Sequence, residues 1–372
     1  MSFLRKQESA GFPACRQADQ VRNGRKAMYD IVTIGTASRD VFLKSKAFRP
    51  IKDAEHLKKL GFTTGEAQCF PLGGKVELDN VVFRTGGGAL NAATTFARQG
   101  LKTGAVVKIG NDSGGDAVVT DLKKERVHSF AVRDRQGTAY SLVFHLKAGE
   151  RTILVFRGAS EDLRSNEVPA TAINTRWVYI VPGTLPYGAL AAIFNRFDRA
   201  RIHIAFAPSK HFIRMGIKRL APILRRSSVV LMNREEGAML TGLDFRKESA
   251  IFKELDALVY GIAVLTDGPR GVIVSDGERI YAAKTFREKN LLDRTGSGDA
   301  FGSGFVASLA RRTLQSENGT WLKEDIMEAI RLGSANATSV VEHIGAQEGI
   351  LTRRQFGRED RWGKLPIKVR RL

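Results

Sequence analysis

The sequence predicts an α/β fold of three layers, with helices on both faces of a mostly parallel central sheet and a small β lid at one edge. Three observations predict it. From residue 29 onward, short β-branched runs alternate with amphipathic segments of helical length. The runs are apolar throughout, as in strands covered on both faces. Two stretches, at about 41–84 and 138–157, break the alternation and resemble antiparallel β pieces added to the edge of the core.

In chain order, residues 1–28 form a polar, unpatterned extension that is expected to be disordered, and Met28 is a candidate true start. The extension has no apolar run of the kind a secretory signal needs. "DIVTIGT" (30–36) is the first buried strand. "ALNAATTFARQG" (89–100) is a helix stopped by Gly100, and the strand "GAVVKIG" follows it. "GGDAVVTDLKKERV" is a second helix. Strands follow at "WVYIV" (177–181), "IHIAFAP" (202–208), "SVVLMN" (228–233) and "IAVLTDG" (262–268), with helical stretches between them. "TAYSLVFHLKAGERTILVFR" (138–157) is expected to form two strands turned at "KAGER". With no internal repeat and no low-complexity linker, the chain divides most simply into one domain at 29–352 with lid insertions, followed by a basic tail at 353–372.

The formal net charge is +20, which raises nucleic acid as a partner. Half of the excess lies at the ends: residues 1–27 carry six Lys/Arg against two Asp/Glu, and residues 352–372 carry eight against two. No basic stripe interleaved with aromatics appears, so nucleic-acid binding is disfavoured. No apolar run is long enough to span a membrane. Two cysteines, Cys15 and Cys69, make neither a disulfide framework nor a metal spacing and fit a reducing cytoplasm.

The chemistry concentrates in "DRTGSGDAFGSGF" (293–305). A helix start carries unpaired N–H groups and partial positive charge. Glycines just before it let the backbone approach an anion closely. Gly296, Ser297, Gly298 and Asp299 are therefore expected to cradle an anion through their N–H groups, with the Asp299 carboxylate at the mouth. Gly302 and Gly304 need a second reason, namely close packing of the helix on its neighbours. A cradle beside a carboxylate suits phosphoryl transfer: the base takes a hydroxyl proton while the N–H groups stabilise the moving phosphoryl. No Walker A pattern occurs, and the glycines lack the context of a dinucleotide fingerprint.

These residues resemble the PfkB-type, or ribokinase-like, carbohydrate kinases, over about residues 29–350. "DRTGSGDAF" is similar to the family's C-terminal signature. This implies Asp299 as catalytic base and Gly296, Ser297 and Gly298 as anion hole. "TGGGALNAATTFARQGLKTGAVVKIGNDSGGD" (85–116) resembles the N-terminal signature, which implies Gly86, Gly87 and Asn91 near sugar hydroxyls. Asp40 matches the sugar-binding aspartate. "NREE" matches N-x-x-E, implying that Asn233 and Glu236 organise Mg²⁺ through water. "TDGPRG" (266–271) matches the nucleotide side, implying Thr266, Gly268 and Gly271 there. The stretch 333–349 matches the helix and turn beside adenine and implies Asn336. Asp293 is retained from a loop that binds K⁺ in the family. Taken alone, Asp40 also suits a turn, and Asn233 with Glu236 also suits a capping box. Arg294, Ser334, His343 and Ala207 depart from the family pattern, so the substrate pocket is not expected to copy ribokinase. The resemblance implies an ATP- and Mg²⁺-dependent kinase, with K⁺ as a further candidate, acting on a primary hydroxyl of a sugar. A nucleoside kinase is the alternative, and an inactive basic nucleic-acid-associated protein the remote one. A homodimer through the lid is a further expectation.

Overall fold

A computed structural model describes residues 28–62, 65–145, 151–314 and 321–372. The extension expected to be disordered, up to residue 27, and most of the "KAGER" turn lie outside the described residues.

Sixteen strands are present among the described residues. In chain order they are β1 (Tyr29–Gly35), β2 (Ser38–Lys44), β3 (Pro50–Lys52), β4 (Glu66–Gln68), β5 (Asn80–Gly86), β6 (Thr103–Gly110), β7 (His128–Asp134) and β8 (Ala139–His145). They continue with β9 (Arg151–Phe156), β10 (Thr175–Val181), β11 (His203–Phe206), β12 (Val229–Asn233), β13 (Ile262–Thr266), β14 (Val272–Ser275), β15 (Arg279–Ala283) and β16 (Ile367–Arg371). Ten of them form one sheet in the order β16-β15-β14-β13-β12-β11-β10-β1-β6-β7. The run from β13 to β7 is parallel, and β14, β15 and β16 extend it antiparallel.

The inner parallel strands have helices on both sides, which explains their uninterrupted apolar runs; every residue of β6 is buried, whereas the edge strand β7 has none buried. On one face Ile193, Phe194, Phe197 and Leu255 pack with Phe206 and Val230. On the other Phe96, Phe305, Leu309 and Ile330 pack with Ile31, Tyr179 and Val264. This is the expected α/β/α sandwich.

Gly302 and Gly304 of the Ser297–Thr313 helix are packing glycines. A Cβ on Gly302 would lie 2.6 Å from Tyr179 Oη. One on Gly304 would lie 3.1 Å from Gly333 Cα in the Lys323–Val341 helix. The two long helices thus touch through small residues.

The chain leaves the core after β1 to build a second, four-stranded sheet, β5-β2-β8-β9. β2 pairs antiparallel with β5 and parallel with β8, and β8 pairs antiparallel with β9. The basic stretch 353–372, set apart in the sequence as a tail, is woven into the fold. It forms the Arg353–Arg358 helix and strand β16, which runs antiparallel to β15 from Ile367 opposite Ala283 to Arg371 opposite Arg279. Ile367 and Val369 pack on the core while Lys368 and Arg370 face outward. The high charge of this stretch hides that two-residue period.

Candidate active site

Parallel α/β sheets bind ligands at the carboxyl ends of their strands, and the singled-out residues gather there. Gly296 stands at φ +76° immediately before the Ser297–Thr313 helix. A Cβ at this position would lie 2.4 Å from Ala346 Cβ, so both conformation and space demand glycine. The Ser297 N–H turns back to Arg294 O at 3.4 Å, and the Ala300 N–H bonds Gly296 O at 2.8 Å. Of the four N–H groups the sequence suggested, that of Ser297 is thus taken by the chain, which leaves those of Gly296, Gly298 and Asp299.

Asp299 is joined to the other signature. Asn91 Nδ2 donates to Asp299 Oδ2 at 2.9 Å. Burial pushes the Asp299 carboxyl above the ordinary carboxylate range, while the Asn91 hydrogen bond pulls it down. The Gly88–Arg98 helix that carries Asn91 starts after Gly87 at φ +93°. A Cβ on Gly88 would press on Val181 at 2.4 Å and stand 3.4 Å from Asp299 Oδ1, so glycine keeps that oxygen clear.

Asp40 is buried on β2, with Ser38 Oγ donating to its Oδ1 at 2.8 Å. Burial raises its pKa, and the hydrogen bond from Ser38 opposes the shift. Gly86 is opposite Ser38 on β5, and a Cβ there would sit 2.0 Å from Asp40 Oδ2. Gly86 thus makes the room that the carboxylate occupies.

Asn233, at the end of β12, caps the Arg234–Thr241 helix in a reciprocal box. Its Oδ1 accepts from the Glu236 N–H at 2.8 Å, and Glu236 Oε2 accepts from the Asn233 N–H at 2.9 Å. Burial raises the Glu236 pKa, the Asn233 N–H lowers it, and Asp299 is among the charges that raise it further. Glu236 Oε1 takes no part in the box. Among the described residues no three His, Cys, Asp or Glu side chains cluster to hold a metal directly. The donor set therefore fits a cation held through water rather than a closed cage.

A cavity of ≈190 Å³ beside the cradle is lined by Thr266, Gly268, Gly271, Ser297, Gly298 and Phe301, among others. Gly271 is at φ +108°, and a Cβ there would meet Ala283 O at 2.0 Å. From the Lys323–Val341 helix, Ser334, Ala337, Thr338 and Val341 face the cavity. Asn336 does not line it. It is fully buried, donating from Nδ2 to Ala300 O at 2.8 Å and accepting at Oδ1 from the Leu351 N–H at 2.9 Å. Asn336 thus forms a strut between the Ser297–Thr313 helix and the 345–351 loop.

Asp293 is buried, with Oδ1 accepting from Thr295 N and Oγ1 at 2.9 and 2.7 Å and Oδ2 from Gly345 N at 3.1 Å. It ties the cradle to that same loop. One residue was not singled out in the sequence: Gln347, whose Nε2 donates to Asn91 Oδ1 at 3.1 Å and to Thr85 O at 3.0 Å. Its partners are 256 and 262 residues away, and within the 333–349 stretch nothing local distinguishes it.

Comparison with known proteins bears on this geometry. The family model described as pfkB family carbohydrate kinase matches residues 54–353. An uncharacterized sugar kinase of Archaeoglobus fulgidus is 25% identical over 262 residues, covering 68% of this chain and 97% of that protein. A cytidine kinase of Thermococcus kodakarensis is 28% identical over 292 residues, covering 73% and 95%. Among solved structures, Arabidopsis thaliana ribokinase complexed with ribose and ATP superposes with a TM-score of 0.68 at 18% identity, covering 87% of this chain and 96% of that one. No helix among the described residues is long and apolar enough to cross a membrane.

Proposed function

The chain belongs to the pfkB carbohydrate kinase family, a phosphotransferase with a hydroxyl acceptor, and from that premise we propose that it transfers the γ-phosphoryl group of ATP to a primary hydroxyl of a sugar. The observation that carries this reading is the half-buried Asp299 carboxylate, held by Asn91 at a helix start whose preceding residues, Ser297 and Gly298, line the cavity that Thr266 also lines.

In the proposed step the acceptor hydroxyl gives its proton to Asp299 as its oxygen bonds to the γ-phosphorus, and the bond to ADP breaks. Asn91 engages Oδ2, so Oδ1, beside Gly88, is the oxygen that takes the proton. The Gly298 and Asp299 N–H groups, behind Gly296 and Ser297, stabilise the phosphoryl charge. Asp40, with Gly86, Gly87 and Asn91, holds the acceptor hydroxyls. Thr266, Gly268 and Gly271 line the nucleotide side. Asn233 and Glu236 would hold Mg²⁺ through water, and the ion would supply charge neutralisation between the phosphates. K⁺ would sit near Asp293, where the cradle and the 345–351 loop meet.

The same reading takes the β5-β2-β8-β9 sheet as a lid over the acceptor within a single domain, and its edge as the contact of a homodimer. It assigns the chain to the cytoplasm. The similarity to a cytidine kinase supports a nucleoside as the alternative acceptor. A turnover and thermal-shift screen with ATP-Mg²⁺ against sugars, sugar phosphates and nucleosides tests the proposal. Phosphorylation of a sugar or nucleoside is the expected outcome. Absence of ATP turnover with every acceptor, together with salt-sensitive RNA binding, overturns it in favour of the inactive reading.

A further inference from the structure

Asn91 can turn either end of its amide toward Asp299: the nitrogen end donates to the carboxylate, and the oxygen end repels it. An ionised Asp299 itself selects the nitrogen end, but a protonated one accepts either, and there Gln347 decides. Its Nε2 is 3.0 Å from Thr85 O, a backbone carbonyl that can only accept, so the nitrogen end of Gln347 must face that way. The same Nε2 is 3.1 Å from Asn91 Oδ1, which fixes the Asn91 oxygen toward Gln347 and its nitrogen toward Asp299. The polarity of the chain Thr85–Gln347–Asn91–Asp299 is thus set at a main-chain carbonyl that cannot reverse.

The loop bearing Gln347 is held to the helix bearing Asn91. Arg98 Nη1 donates to Gln347 O at 2.8 Å and to Ile350 O at 3.0 Å, and Gln99 Nε2 donates to Leu351 O at 2.8 Å. Arg98 is itself paired with Glu125. We propose that Gln347 is a positioning residue for the base: it locks the Asn91 amide so that it donates to Asp299 Oδ2 and leaves Oδ1 for the acceptor proton. This rests on the reading of Asp299 as the base.

The other titratable groups facing Asp299 are Tyr179 on β10, which burial keeps neutral, and Glu236 on the Arg234–Thr241 helix. Neither touches Gln347, so a change at residue 347 reaches Asp299 through Asn91.

The test uses the full chain in Asn91→Ala, Gln347→Met and Gln347→Glu forms. Gln347→Met keeps the length and removes the donor without adding charge, so it carries the test; Gln347→Glu keeps the shape and presents only acceptors to Thr85 O and Asn91, and its charge adds to any rise. The Asp299 carboxyl, labelled with ¹³C and assigned by its loss in Asp299→Asn, is titrated by NMR in nucleotide-free protein. Asn91→Ala is expected to raise its pKa by about one unit, and each Gln347 variant to reproduce most of that rise. The melting temperature verifies the fold. With ATP and either D-ribose or cytidine as acceptor probe, the acid limb of kcat should move up by the same amount, with KM for ATP unchanged. A rise in Asn91→Ala with none in folded Gln347→Met or Gln347→Glu overturns the proposal. Because the titration needs no turnover, it fails separately from the base assignment, which fails if Asp299→Asn stays active.

Discussion

Asn91 Nδ2 lies 2.9 Å from Asp299 Oδ2, joining two segments 208 positions apart in one hydrogen bond. This contact brings the N-terminal glycine-rich stretch and the C-terminal signature together as one site. It also divides the carboxylate into a held oxygen and a free one.

Replacing Asp299 with Asn retains the shape and removes the base. General-base catalysis supplies about 10²–10⁴-fold, so kcat should fall by that range while ATP affinity holds or improves. The stability effect has a defined sign. Burial raises the carboxyl pKa, so the folded state prefers the protonated form and ionisation at neutral pH costs stability. Asp299→Asn should therefore melt higher than the parent at pH 7, and the gap should close as the pH falls through the raised pKa of the folded state, being gone by the ordinary carboxylate pKa. A melting temperature lowered at pH 7, or near-normal kcat, contradicts this account.

Asp40 and Gly86 make a second coupled pair. Asp40→Asn removes a charged acceptor, and such hydrogen bonds are worth about 1.5–3 kcal/mol; KM for the acceptor should rise by roughly 10- to 150-fold. Gly86→Ala should do the same without altering any polar group, because its Cβ would stand 2.0 Å from Asp40 Oδ2 and displace the carboxylate. In both variants KM for ATP should stay within about twofold. Steady-state kinetics with both substrates varied would show whether the loss is confined to the acceptor.

Asn233 and Glu236 are at once a capping box and the proposed cation holders, and two substitutions separate these roles. Asn233→Ala removes a helix cap and should cost about 0.5–2 kcal/mol in denaturant unfolding. Glu236→Gln keeps an oxygen to accept from the Asn233 N–H and removes only the charge. Because burial also raises the Glu236 pKa, the variant should hold or raise stability at pH 7 while shifting the Mg²⁺ dependence of turnover to higher concentration. An unshifted Mg²⁺ titration in Glu236→Gln would leave the pair with capping alone.

The core strands were legible because a parallel sheet buries both faces of each strand, so β1, β6, β10, β12 and β13 stand out as short apolar runs. The glycine turn and helix start at 296–297 were legible because their requirements are local: positive φ at Gly296 and a helix start after it. The facing of Asn336 is set by the phase of its helix. Ser334, Ala337, Thr338 and Val341 follow helical spacing and share the cavity-facing side, so Asn336 lies out of phase with it. Strand β16 was hidden by its charge. Gln347 was not legible at all, since its meaning depends on Thr85 and Asn91 from the other end of the chain.

Strand β9 ends the second sheet, and no strand among the described residues pairs with its outer edge. Ile153, Leu154, Val155 and Phe156 are each 38–57% exposed, so both faces of this edge are apolar. Such an edge is covered in stable proteins, and the proposed cover is a second copy. Sedimentation should show a concentration-dependent dimer that Leu154→Lys with Phe156→Lys dissociates, at little cost to the monomer's stability. A parent chain that sediments as a monomer at all concentrations rules this out.

Gly296 and Gly298 lie two residues apart and should respond in opposite ways to the same methyl group. At Gly296 the backbone is at φ +76° and an added Cβ would lie 2.4 Å from Ala346 Cβ and 2.9 Å from its Cα. Alanine there is strained by conformation and by contact, so the protein should lose stability and, with the cradle displaced, activity. At Gly298 nothing lies within 4 Å of an added Cβ. The residue is exposed in the first turn of the helix, where alanine is favoured over glycine by up to about 1 kcal/mol. Gly298→Ala should therefore fold at least as stably as the parent. The space its methyl group enters is the cleft, where the transferring phosphoryl must approach the Gly298 N–H. Losing one such donor costs about 3–4 kcal/mol of transition-state stabilisation, so kcat should fall by at least about 10²-fold while the melting temperature rises or holds. A glycine kept only for helix geometry would give the reverse, and full activity in Gly298→Ala would remove this N–H from the anion hole.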